Sequence, residues 1–421
     1  MQRPMPNTPR VAKLAAFFRC DWLTPERARV YPRVILFATI VTALLRVASS
    51  LLNVGVLGFP VRSDYISFWA ASHLALSGHA ADVYNVLIHW RVEQSVFADS
   101  GYSAFFYPPV WILICLPAAL LPFWWSLAVF LGVTGAAYWW VMHRMLPGAG
   151  AAILAYPAVV VDIIYGQNGL LTTALFGGAL LALEQRPWLA GVCFGCLAYK
   201  PHLAVIVPIA LVAGRHWRAL ASTAATATAL IACSVAVFGS DTWQAFLDAA
   251  PHARWSLEHG IVLNAAWEST FRAVVQMGGS LTVAYLAQAL VALVAITALV
   301  ITCRRRPDAI CVMLPLATLL SSPFLLAYDL VLLAIPMAWL VRKGIINGFL
   351  PWEKLLLCVG FILPLASVFA SKAGVPLFGP MVIAGLLASA TLVCLYPDRM
   401  FRRARNPLPS GVPAGEHGRP P

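Results

Sequence analysis

The chain has 421 residues, of which 61% are hydrophobic and 11% charged, with a formal net charge of +12. An ordinary soluble domain has about 45–50% apolar and about 25% charged residues, so this chain has too few charges to cover a soluble surface. The same numbers exclude a disordered, collagen-like or disulfide-scaffold chain and leave an integral membrane protein, with room for many spans of about 20 residues.

Residues 1–33 form a basic segment with seven Lys/Arg against Asp21 and Glu26. In front of an apolar run that starts near Val34, such a segment marks the cytoplasmic side of a membrane and not a nucleic-acid site. No small-residue cleavage signal follows, so this run reads as a retained anchor. Apolar runs predict helices near 34–57, 124–143, 149–165, 168–184, 187–199, 201–214, 219–239, 281–302, 309–321, 329–341, 354–370 and 378–396. The expected fold is an all-α polytopic membrane domain over 34–396 with about twelve spans (range about 10–14). An even number of spans returns the C-terminus to the cytoplasm, where the basic, disordered-looking tail 397–421 belongs. Arg215/Arg218, Arg304–Arg306 and Arg342/Lys343/Lys354 then fall on the same side.

Two external segments are long enough to hold chemistry. The first, with its juxtamembrane helices, covers 58–123; the second is 240–280. Residues 58–107 hold eleven aromatics, and Ile66, Trp69, His73 and Leu74 recur at helical spacing before Gly78, which predicts an amphipathic helix on the outer surface. Pro108–Pro122 is apolar but too short to span, and reads as a half-helix dipping into the membrane. The nine cysteines are scattered, and the Cys193-x-x-Cys196 pair inside an apolar run reads as packed thiols.

Polar groups at helix mouths in a membrane protein are costly, which makes each of them a functional candidate. Five features stand out: Asp64, which either caps the following helix or does chemistry; Tyr107-Pro108-Pro109; Gly166-Gln167-Asn168-Gly169 with Asp162 one turn inside; Lys200-Pro201-His202; and Ser321-Ser322-Pro323 with Tyr328-Asp329. Asp329 has three options: capping the next helix, pairing with Lys200, or pairing with an external arginine. The span map places all five at the outer face. A carboxylate there can take a proton from a hydroxyl nucleophile, and a cation can stabilise a departing phosphate.

Read in this order, the residues resemble glycosyltransferase family 87 over about 60–345. The stretch 63–85, from Ser63-Asp64-Tyr65 through Phe68-Trp69 to Tyr84-Asn85, is similar to the family's first-loop pattern. Tyr107-Pro108-Pro109, Gly166-Gln167-Asn168, Lys200-Pro201 and Ser322-Pro323 through Tyr328-Asp329 follow in family order. The resemblance implies a GT-C-type membrane transferase that takes a hexose, mannose by family habit, from a polyprenyl-phosphate donor to a lipid or glycan acceptor. It matches Asp64 to the family's proposed base and Lys200 to its Lys-Pro position; on charge grounds Lys200 is assigned to the donor phosphate, with Arg62 or Arg272 as helpers. Tyr65, Trp69, Tyr107, Gln167, Asn168, His202, Tyr328 and Asp329 become substrate-binding candidates. No cofactor or metal is called for, and the reaction is expected to invert the anomeric centre. The expected location is a bacterial inner membrane, with both termini cytoplasmic and the site external.

One departure is the apolar Phe324-Leu325-Leu326-Ala327 where many members carry a polar, often histidine-containing stretch; His202, His252 or His259 would have to substitute. The alternative reading is a multi-pass transporter or lipid flippase. Against it, the aromatic first loop has no counterpart in the second half, whereas transporters are commonly built on paired repeats. A noncatalytic partner in a glycan assembly complex is a further rival.

Overall fold

The computed structural model describes residues 16–51, 63–98, 101–260 and 267–396. Arg62, residues 1–15 and the tail 397–421 lie outside the described residues. Everything described is helix and connection, apart from one isolated antiparallel bridge between Trp267 and Leu326.

Among the described residues, four helices are long and apolar enough to cross a membrane: Phe123–Met145, Trp217–Phe238, Leu281–Arg305 and Phe378–Leu395. The other segments expected to span are helical where described, but several are short or broken, so twelve full crossings do not follow from the structure. The interruptions have sequence causes. Pro157 starts a new helix directly after Tyr156, and Pro187 and Pro201 sit at first-turn positions, where a missing N–H costs nothing. Within 187–214 the chain passes through Pro187–Cys196, a 3-10 turn Leu197–Tyr199, Pro201–Ala204 and Ile206–Ala213, and Lys200 sits at the break.

Charge is sorted along the long helices. Phe123–Met145 and Leu281–Arg305 end in His143/Arg144 and Arg304/Arg305, while Trp217–Phe238 begins beside Arg215 and Arg218. Their opposite ends connect to the two large polar segments.

Helix Ile310–Ser321 is buried along nearly its whole length and packs against Leu281–Arg305 and Phe378–Leu395. Pro187–Cys196 lies against Trp217–Phe238 through Gly191 and Gly195, where any Cβ would collide with Ser222 or Thr226. Small residues of this kind let membrane helices approach closely. Cys193 and Cys196, on that same helix, are free thiols.

The first segment corrects one expectation. The helix Tyr65–Leu76 forms as its spacing predicts and ends before Gly78 at φ +81°. It is buried on nearly all sides and does not lie on the outer surface: Tyr65, Ile66, Phe68, Ala70, Ala71 and Leu74 all join the core. Non-polar residues around its whole circumference, and not along one stripe, explain why. It packs against Pro109–Cys115 and the 3-10 turn Leu116–Leu120, the short helix expected from Pro108–Pro122.

Candidate active site

The site is assembled around the Gly166-Gln167-Asn168-Gly169 turn. Gly166 closes Pro157–Tyr165 in the left-handed conformation (φ +64°), and a Cβ there would collide with Ser63 Oγ. Asp162, fully buried, accepts from the Gly169 and Leu170 amides at 2.7 and 3.3 Å and so satisfies the open N-terminus of Gly169–Ala182. The tetrad is therefore a turn locked by an acid one helix back. Ser63 fastens the first loop to it, donating to the Tyr165 carbonyl at 3.0 Å.

Asp64 sits at the N-terminus of Tyr65–Leu76 without making a side-chain cap. Its Oδ2 instead accepts from Gln167 Nε2 at 3.0 Å, and Tyr107 Oη donates to Gln167 Oε1 at 3.3 Å. Tyr107, Gln167 and Asp64 thus form a directed chain that ends on the carboxylate. Burial pushes the Asp64 carboxyl above its usual range, the Gln167 bond opposes this, and the charge of Glu93 adds to it.

Lys200 is buried beside this chain. Its Nζ donates to Asp329 Oδ1 at 2.5 Å and to Asn168 Oδ1 at 2.7 Å, and lies 5.3 Å from the centre of the Tyr328 ring. Asp329 also accepts from the Leu326 amide at 3.2 Å, which orients the carboxylate. Of the three options for Asp329, the structure realises the pair with Lys200. The pair is neutral overall, so Lys200 contributes an oriented donor more than an unbalanced positive charge.

These groups open on a cavity of about 440 Å³. Asp64, Tyr107, Gln167, Lys200, His202, Tyr328 and Asp329 all line it, and Asn168 reaches it through Lys200. The remaining candidates stand elsewhere. Tyr65 is buried with its hydroxyl 2.7 Å from Ser126 Oγ, and Trp69 donates to the Leu121 carbonyl at 3.0 Å. Arg272 donates to the Leu257 and Glu258 carbonyls at 3.2 and 3.0 Å, closing the C-terminal end of Ser240–His259, and lies 5.6 Å from the centre of the Trp267 ring. It supports a cavity-lining residue and does not line the cavity itself. Of the three histidines that could replace the missing polar stretch, His202 and His252 line the cavity and His259 does not.

Two walls come from the two external segments, and apart from His252 their residues were not among the candidates. The extended run Tyr102–Phe106 contributes Tyr102, Ser103, Ala104 and Phe106, and it is held from behind: Glu93 accepts from the Ser103 amide at 3.0 Å while lying 3.4 Å from His89 Nε2. The second loop contributes His252, Ser256 and Trp267. The density of aromatics in 102–107 was the available signal for the first wall; the second depends on a fold-back that no local pattern announces.

Fold and site together define a membrane-embedded helical protein with an acid and a lysine on one polar cavity. The family model of glycosyltransferase family 87 matches residues 105–327, more than half of the chain, and the chain belongs to that family. Tyr107, Gln167, Asn168, Lys200 and His202 fall inside the matched stretch; Asp64 precedes it and Tyr328 and Asp329 directly follow it. No curated protein and no solved structure matches the chain. The family makes the protein a membrane glycosyltransferase.

Proposed function

We propose that the protein transfers a hexose, mannose in the first instance, from a polyprenyl-phosphate donor to a lipid or glycan acceptor at the external face of a bacterial cell membrane. The observation that carries this reading is the Asp64 carboxylate, opening on the same cavity as the buried Lys200–Asp329 pair. Orientation is supported by the basic residues at the ends of the long helices away from the cavity loops, as cytoplasmic ends carry Lys and Arg.

Asp64, its proton affinity raised by burial, accepts the acceptor hydroxyl's proton as that oxygen bonds to the anomeric carbon. The bond from that carbon to the phosphate oxygen breaks, and polyprenyl phosphate leaves with the electron pair. A third Lys200 N–H, beyond those given to Asn168 and Asp329, meets the growing phosphate charge. Arg62 is a further candidate for this contact, whereas Arg272 is committed to backbone carbonyls. A single displacement with one carboxylate inverts the anomeric centre.

The test supplies membranes holding the protein with radiolabelled polyprenyl-phosphate mannose and, separately, the corresponding nucleotide sugar. Label from the lipid donor in a product of inverted configuration is expected. Label only from the nucleotide sugar, or retained configuration, would reject the reading.

A further inference from the structure

Helix Ser240–His259 carries three aromatic rings on one face, His252, Trp255 and His259, at i, i+3 and i+7. Their centroids are 6.0 Å apart (22° between planes) for the first pair and 4.8 Å apart (32°) for the second. Phe106 extends the row inward, 5.9 Å from His252. Phe106 and His252 line the cavity, whereas Trp255 is 46% exposed and His259 is exposed. A continuous run of rings therefore leads from inside the cavity to the outer surface.

The row is held in place. His259 Nδ1 lies 2.9 Å from the Trp255 carbonyl, Glu258 accepts from Arg254 and from Tyr285 at 2.8 Å each, and Arg272 closes the helix's last carbonyls. Asp241, Asp248, Arg254 and Glu258 on the same helix favour an aqueous setting over burial in lipid. Rigid rings exposed to water suit a ligand with alternating apolar faces and hydroxyl edges, which is the chemistry of a pyranose ring.

We propose that Phe106, His252, Trp255 and His259 form an aromatic track that binds an oligosaccharide acceptor, its terminal sugar in the cavity and its inner sugars on Trp255 and His259. The inference rests on the transferase reading above and adds to it that the acceptor is recognised over more than one sugar. It serves the same step: the terminal sugar's oxygen bonds to the donor's anomeric carbon, its proton goes to Asp64 and polyprenyl phosphate departs.

The test uses the full-length protein in membranes, radiolabelled polyprenyl-phosphate mannose, and octyl α-mannoside, dimannoside and trimannoside as acceptors. KM is expected to fall about tenfold from mono- to trisaccharide, a difference of about 1.4 kcal/mol. Trp255→Ala should abolish this length dependence by raising the trisaccharide's KM, and Trp255→Phe should restore most of it. Equal KM for all three acceptors in the wild type, or a length dependence surviving in Trp255→Ala, would overturn the track. A wild type that transfers to none of the three would overturn the transferase reading beneath it.

Discussion

Removing the charge of Asp329 while keeping its shape is the most informative change to the structure. Asp329→Asn keeps one acceptor oxygen where the carboxylate uses two, Oδ2 for the Leu326 amide and Oδ1 for Lys200, and leaves the ammonium without a counter-charge. Both side chains are 2% exposed, so water cannot take over the role of the carboxylate. Breaking a buried pair from one side costs about 3–5 kcal/mol, whereas replacing both charges is often neutral. Asp329→Asn should therefore destabilise the protein by about that amount. Lys200→Met combined with Asp329→Asn should recover most of the loss while transfer from the lipid-phosphate donor stays abolished. Unfolding in detergent micelles, followed for both single variants and the double variant, gives the coupling. An Asp329→Asn protein within about 1 kcal/mol of wild type, or a double variant as unstable as the two losses added, would refute the idea that the pair is a buried unit.

Further outcomes follow from the electrostatics. The acid limb of the pH–rate profile should lie above the ordinary carboxylate range, because Asp64 works only when ionised and burial raises its affinity for a proton. Gln167→Leu, which removes the bond that opposes this rise, should move the limb up, while Glu93→Gln, which removes a like charge, should move it down; shifts in one common direction would contradict the assignment. Glu268, within the second loop, is buried, and burial pushes its carboxyl up to about 8. A folded-state value above the unfolded one stabilises at low pH and loses that contribution as pH rises through about 8. Wild-type melting temperature should therefore fall between about pH 4.5 and about pH 8, and Glu268→Gln should flatten that fall; an unchanged slope in the variant would be the contrary result.

Class and local helices were legible because they rest on composition and period. Twelve apolar runs marked the helical segments, and Gly78 and Pro109 marked local boundaries. The depth at which helices sit was less legible. Ile66, Trp69, His73 and Leu74 alone have the spacing of a surface stripe, yet Tyr65–Leu76 is non-polar nearly all round, and aromatic partners far along the chain, such as Phe123 and Phe130, pack on it. The candidate site was legible as a set of polar residues on one side, but not as bonds. Asp64 looked like a helix cap because caps are local, while its actual partner Gln167 lies 103 residues away. Lys200 and Asp329 are 129 residues apart, and only the fold selects their pairing over an arginine. Arg272 drew attention as a donor-phosphate candidate, yet its guanidinium donates to carbonyls at a helix end. Asp162 caps across a turn, a pattern that sequence spacing alone does not separate from a functional acid.

The central claim is that Asp64 is the base. Its most direct test is Asp64→Asn, assayed for transfer from labelled polyprenyl-phosphate sugar and for thermal stability in the same preparation. An asparagine still accepts the Gln167 bond and removes a carboxylate whose ionised form burial disfavours, so stability should equal or exceed wild type. Loss of a general base should lower the transfer rate by about 10²–10⁴-fold. A variant that transfers within about tenfold of wild type, or that loses activity only because it no longer folds, would contradict the account.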